Sequence, residues 1–402
     1  MIENAQLNNK ISSGVRLFDF FLYIYVLLLP IGTGLAGIIG SISLMNYFAV
    51  GIAACGVMAG IRKRNFIIKK RLFPTLLYFF YTVISVVWSP DATFNWYVVT
   101  NIVNFILLVI LNTHQWGTKE IEDINKFVAI SQVIVIAAVT RNISSIYNYR
   151  LNITIVSTIG ISDFACGLCL IIAMWMNVAS TTTKKSWRII AFAAIAADVA
   201  IIIMAGSRGA LAMVFAMVAV WIFLGKYSGK MKLLIVLVVL GILFFFGNYF
   251  IDLLPSTITN RLTLSAIQSS NGSGRFNIWK LAWDTFKSST VLQVLFGHGF
   301  NSFLNVISYG SHGGHQDLLA HNVVIQTMIE GGIVGTVLLA QMIISQLKLA
   351  WKNNDNMMKI AVVGLFVASL SIDMQVTRIW GFILALNCIR NRQINYKFQT
   401  NQ

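Results

Sequence analysis

The sequence predicts an all-α, polytopic membrane protein of about 12 (11–12) transmembrane helices, with one large extracytoplasmic loop containing short helices. Three observations carry that expectation. Hydrophobic residues make up 57% of the 402 positions and charged residues only 11%, and the mean hydropathy is +0.75, outside the range of soluble globular chains. Apolar runs close to the ~20 residues needed to cross a bilayer recur along the chain. A single long interval, 252 to 321, breaks the series with polar residues.

The runs fall near 17–38, 42–61, 72–89, 97–112, 124–140, 160–179, 189–206, 210–225, 233–251, 322–346, 359–374 and 378–390. The first follows a polar start with Lys10 and Arg16, lacks a small-residue cleavage site and leads into a second run, so it reads as an uncleaved span. The last two are short and separated only by Gln375-Val376-Thr377, which leaves eleven spans plus a re-entrant piece as the competing count. The organisation expected is therefore transmembrane helices 1–9 over 1–251, an extracytoplasmic catalytic loop over 252–321, and helices 10–12 with a cytoplasmic tail over 322–402.

Charge gives the orientation. With the amino terminus inside, 22 of the 30 Lys+Arg residues fall on the cytoplasmic side, including the cluster from Arg62 to Arg71 and the Lys184-Lys185-Arg188 group. Eight fall outside: Arg141, Arg150, Arg208, Arg261, Arg275, Lys280, Lys287 and Arg378. This is the positive-inside bias, and it turns the long loop outward with both termini in the cytoplasm. A net charge of +16 in such short juxtamembrane clusters fits anionic lipid headgroups and not nucleic acid. The four cysteines lie in or beside apolar runs, so the lone Cys166-x-x-Cys169 reads as small core residues rather than a zinc or redox motif.

The outward cations run against the orientation rule and need a reason. Arg208 lies in the tight turn Gly206-Ser207-Arg208-Gly209, where a guanidinium fork beside glycines could clamp a phosphate, although a snorkelling arginine at a helix end has the same signature. In the loop, Phe276, Trp279, Trp283 and Phe286 recur at helical spacing and predict a short interfacial helix. Asn271 or Ser273 would be its N-cap, and Arg275 in the first turn would sit against the positive helix end unless an anion binds there. Arg261 is a further cation on the approach.

Four of the five histidines, His298, His312, His315 and His321, lie in the loop. Imidazole is the group whose ordinary pKa suits proton transfer near neutrality. His321-Asn322 directly precedes the tenth run and Glu330-Gly331-Gly332, with Asp317 four residues upstream as a candidate to orient the ring. His298 lies within Gly297-His298-Gly299 and is an alternative base. The histidine spacing matches no metal site.

The order of these motifs resembles the O-antigen polymerase and O-antigen ligase family of bacterial envelope polysaccharide glycosyltransferases. The residues that carry the likeness are Ser207-Arg208-Gly209, Arg275-x-x-x-Trp279, Gly297-x-Gly299, and His321-Asn322 followed by Glu330-x-Gly332-x-x-Gly335, over about 200–340. The resemblance implies an enzyme of the bacterial cytoplasmic (inner) membrane that moves glycan from undecaprenyl diphosphate without cofactor or metal. It assigns diphosphate binding to Arg208 and Arg275 and base catalysis to His321. Asn322, Asp317, Glu330, Arg261 and His298 are the supporting candidates. Partners implied are the undecaprenyl-diphosphate-linked oligosaccharide, the lipid bilayer, a chain-length regulator and a flippase, with no nucleic acid.

Polymerase is the favoured reading, a ligase that hands a finished glycan to a terminal acceptor shares the same residues, and a transporter or flippase is the rival of another class. Asp198, deep in the seventh run, and Asp163 are the residues that favour transport.

Overall fold

In the computed structural model the described residues are 17–36, 43–63, 70–90, 96–114, 116–148, 151–225, 228–234, 274–308, 319–373 and 377–390, with a few isolated positions beside them. Among them the regular elements are helices, apart from one isolated bridge between Thr154 and Thr158. We number them α1 (Leu17–Leu35), α2 (Leu44–Lys63), α3 (Phe73–Ser85), α4 (Trp96–Thr113), α5 (Thr118–Asn142), α6 (Ile161–Thr181), α7 (Lys185–Met204) and α8 (Arg208–Leu224). Then follow α9 (Arg275–Ser288), α10 (Val291–Phe296), α11 (Phe303–Ser308), α12 (Val323–Lys352), α13 (Asn356–Ser369) and α14 (Arg378–Ile389).

Six helical segments among the described residues are long and apolar enough to cross a membrane: α1, α5, α6, α7, α12 and, with its flanking turns, α3 as Lys70–Trp88. Leu44–Ala59 of α2, Tyr97–Thr113 of α4, and α8, α13 and α14 are shorter apolar helical segments. Most of the ninth expected run lies outside the described residues.

Packing orders these helices into a centre and a rim. In α6, 78% of the apolar window is buried, against 22% in α7. α14 is buried along its whole length. At 14 and 12 residues, α13 and α14 are about 21 and 18 Å long, short of the ~30 Å hydrocarbon thickness. Burial supplies what length does not, because neighbouring helices and not lipid surround this pair.

Side-chain bonds tie the connections into two opposite ends. At one end the buried Arg390 pairs with Asp355, and its Nη1 donates to Asn125 Oδ1 at 2.8 Å. Asp355 also caps α13 by accepting from Met358 N. At the other end Asn104 Nδ2 donates to Thr377 O at 3.0 Å, and Gly34 O accepts from the amides of Val156 and Ser157. Within the bundle the cysteines are packing residues: Cys166 and Cys169 are fully buried, and Cys169 Sγ contacts Ala361 O. Asp198 is likewise buried, and its Oδ1 accepts from Gln132 Nε2 at 2.8 Å, a bond between α7 and α5.

The tenth run, expected as one span over 322–346, is a broken helix. α12 is interrupted at Gly332, which has φ 63° and ψ −159°. The 20 residues after the break are long enough to span alone, ~30 Å, while Val323 to Gly331 form a separate arm. Into this break packs the Gly297–Gly299 turn. His298 N donates to Ile329 O and Gly299 N to Glu330 O, both at 2.9 Å, and Tyr81 from α3 donates toward both Phe296 O and Gly331 O at 2.8 Å.

Candidate functional site

The end of the bundle that holds Thr377 and Gly34 also gathers the residues singled out from the sequence. Gly206, at φ 59°, turns the chain out of α7. Ser207 then caps α8, its Oγ facing Ala210 N at 3.5 Å, so that Arg208 is the first residue of the helix. A Cβ at position 209 would lie 2.0 Å from Ser371 Oγ. Gly209 is thus what lets the α13–α14 connection press against the start of α8.

That connection is the meeting point. Arg275 Nη1 donates to Ser371 Oγ at 3.0 Å, which joins the first residue of α9 to the tip of the α13–α14 pair. Asn322 caps α12, accepting at Oδ1 from Val324 N (2.9 Å) and Ile325 N (3.2 Å). Its Nδ2 donates to Leu370 O at 3.3 Å. His321 stands just before this cap in the left-handed region, at φ 47°. Its Nδ1 lies 3.8 Å from Asp373 Oδ2, longer than a hydrogen bond. The backbone N–H groups of Asn322 and His321 point at the same carboxyl.

The electrostatics follow from burial and one cation. Burial, with nearby Asp163 adding to it, raises Asp373 to about 7, opposed by Arg275 and the two backbone donors. Burial and then the Arg275 charge lower His321 to about 4. The imidazole is therefore neutral near pH 7 and able to accept a proton, beside a carboxyl that ionises in the same pH range. A fixed guanidinium, a neutral imidazole and a tunable carboxyl form a set suited to holding an anion while moving one proton.

The structure corrects several expectations. The N-cap of α9 is Gly274 at φ 79°, not Asn271 or Ser273, although Arg275 does sit in the first turn. His321 is not a helical residue, so a carboxylate four positions upstream has no helical register to meet it. The carboxyl beside the ring is Asp373, which hydropathy merges into the apolar run 359–374. Of the α9 aromatics, Trp279 Nε1 donates to Ala320 O at 2.8 Å and Phe286 packs on the loop's own core, but Phe276 and Trp283 are exposed.

His298 belongs to another place: its Nε2 lies 3.0 Å from Ser289 Oγ, and its amide is bonded to Ile329. That contact is about 9 Å along α12 from Val323. Glu330 is buried, accepting from Gln326 Nε2 at 3.1 Å and from Phe303 N at 3.4 Å. It organises the turn between α10 and α11 and does not reach toward His321. Arg261, Asp317, His312 and His315 lie outside the described residues.

Residues 190–340 match the family model described as O-antigen ligase. No curated protein matches the chain. The matched segment holds Arg208, Arg275 and His321 together with both halves of the broken-helix packing. Over that segment the chain is similar to the O-antigen ligase family.

Proposed function

We propose that the chain polymerises lipid-linked oligosaccharide repeat units of a surface glycan: O-antigen, capsule or exopolysaccharide. It transfers glycan from undecaprenyl diphosphate to an acceptor sugar hydroxyl on the outer face of the bacterial cytoplasmic membrane. The observation that carries this reading is the meeting of Arg275 and His321, from different elements, at the Ser371–Asp373 connection next to the Arg208 turn.

The topology proposed is that of the sequence, with 11 or 12 spans, the loop 252–321 outside and both termini inside. Its support is the sorting of the cations. Arg208, Arg275 and Arg378 share one end of the bundle, while Lys70, Arg71, Lys352, Lys359 and Arg390 share the other. The second, more basic end is the cytoplasmic one by the positive-inside rule.

The reaction follows from the geometry. The acceptor oxygen attacks the anomeric carbon, the bond from that carbon to the diphosphate oxygen breaks, and its electron pair leaves with the diphosphate. Arg208 and Arg275 hold that growing charge, so the step requires no metal ion. His321 takes the acceptor proton at Nε2, because Nδ1 faces Asp373, and the Asp373 carboxylate then stabilises the imidazolium. A single displacement inverts the anomeric configuration. Binding the diphosphate also offsets the Arg275 charge that depresses His321, so the donor itself strengthens the base.

The pH dependence has a definite sign. Asp373 titrates at about 7 and gains its charge as pH rises. Turnover by the purified protein is therefore expected to climb through pH 7 and level off. Asp373→Asn should abolish that climb and hold the rate near the wild-type low-pH value. A variant that keeps the climb would remove Asp373 from the proton path.

The family description favours a second reading, ligation of a finished glycan to a terminal acceptor by the same residues. Cells lacking the protein separate the two. Single repeat units on the surface lipid identify a polymerase, and long chains retained on the carrier identify a ligase. Transport without bond formation would appear as an unchanged product pattern from purified protein in liposomes.

A further inference from the structure

Arg378 is an outward cation for which the reaction above has no use. It is the first residue of α14 and only 8% exposed. Its Nη2 donates to Asn46 Oδ1 of α2 at 2.9 Å, while its Nε is buried without a hydrogen-bond partner among the described residues. The phenol of Tyr25 lies within electrostatic range, and its hydroxyl is also buried and has no hydrogen-bond partner among the described residues. Among the described residues no carboxylate pairs with this guanidinium. The adjoining stretches 37–42 and 374–376 contain no Asp or Glu in sequence.

A guanidinium does not shed its charge by deprotonation. Burying it with no counter-ion among the described residues costs several kcal/mol, which this position does not recover from Asn46 alone. Arg378 also begins α14, and the Thr377 side chain does not cap the first-turn amides of that helix. Cation, amide donors and phenol together make a site for a tetrahedral oxyanion.

We infer that Arg378, with Asn46 and Tyr25, receives the phosphate of a membrane lipid distinct from the donor held at Arg275. Arg378 is five residues from Asp373, so the two sites lie within about 18 Å of one another along the chain. This deepens the polymerase reading and rests on it, since a polymerisation has two lipid-borne reactants and needs two phosphate anchors. Ligation to an acceptor without a carrier needs one. The phosphate source is either a polyprenyl diphosphate or the headgroup of a bulk anionic phospholipid, and both offer the same chemistry to Arg378.

Native mass spectrometry of the purified full chain with geranylgeranyl diphosphate tests the site, beside nanodiscs of phosphatidylglycerol or phosphatidylcholine. Wild type is expected to bind two equivalents of the diphosphate, or one plus retained phosphatidylglycerol if the source is the bulk lipid. Arg378→Gln should weaken the second anion by at least ~30-fold, as truncating one partner of a buried charge pair does. Arg275→Gln should remove the other one. In lipid-free detergent Arg378→Gln should melt no lower than wild type, because it deletes an uncompensated charge. Unchanged anion binding in Arg378→Gln, or a lower Tm in detergent with no change in lipid response, would overturn the site and make Arg378 a helix tie to Asn46. Loss at Arg378 with none at Arg275 would keep this site and overturn the donor clamp instead.

Discussion

His321→Ala is expected to lower turnover of lipid-linked donor about 10²–10⁴-fold, the usual contribution of a positioned general base, with membrane expression unchanged. The second half of that expectation comes from the local structure. The His321 side chain is 38% exposed and stands 3.8 Å from Asp373, so its removal opens no sealed cavity and breaks no short hydrogen bond. The backbone donors to Asp373 and the Asn322 cap stay in place. One complication is the left-handed φ of 47°, which alanine tolerates less well than asparagine, by about 1 kcal/mol. His321→Asn therefore accompanies the alanine variant, keeping the backbone while removing the base. In a cell whose surface glycan depends on this protein, both variants should show single repeat units beside a normal expression blot. A normal ladder from both would end the assignment and pass the base role to His298, His312 or His315.

The parts of this site that could be read in the sequence were polar residues standing out against an apolar chain. Arg208, Arg275, His321 and Asn322 were visible because a cation, an imidazole or a cap beside an apolar run has few reasons to be there. Ser371 and Asp373 were hidden by the converse effect. Leu370, Ile372 and Met374 surround them, so the hydropathic window swept both into the run 359–374. Only tertiary packing, with Gly209 against Ser371 and Asn322 against Leu370, brings that short connection to the start of α12.

The fold divides in the same way. Helical class follows from composition and apolar periodicity, because a chain this hydrophobic must satisfy its backbone internally. The break in α12 does not, since glycine is common within membrane helices, and Gly331-Gly332 reads equally as a small-residue packing stripe. Gly274 as the N-cap of α9 is illegible in the sequence for a similar reason. Asn271 and Ser273 have better capping side chains than Gly274, but the backbone enters that helix at φ 79°, where glycine has no steric penalty.

Gly332→Ala is accordingly expected to be severely damaging. At φ 63° and ψ −159° the residue occupies a region that is essentially closed to side chains, at a cost of order 1–3 kcal/mol. A Cβ there would also lie 2.5 Å from Gly297 N and 2.6 Å from the Leu295 carbonyl. These are backbone atoms held by the His298 and Gly299 hydrogen bonds to α12, so no rotamer change relieves the overlap, and overpacking adds about 1–3 kcal/mol. The approach is as tight from the other side, where a Cβ added at Gly297 would lie against the Glu330 backbone. Even molecules that fold must swing the arm from Val323 to Gly331, and with it His321 moves away from Arg275. Gly335→Ala is the control: its Cβ would meet the edge of the Tyr81 ring at 3.1 Å and the Thr327 methyl at 3.4 Å, both side-chain atoms, in ordinary helical backbone. The expectation is a loss of roughly 2–6 kcal/mol from these two terms for Gly332→Ala, seen as a collapse in monodisperse yield and Tm. Gly335→Ala should remain within about 1 kcal/mol of wild type. Equal melting of both variants would mean that the break in α12 is not what joins the loop to the membrane bundle.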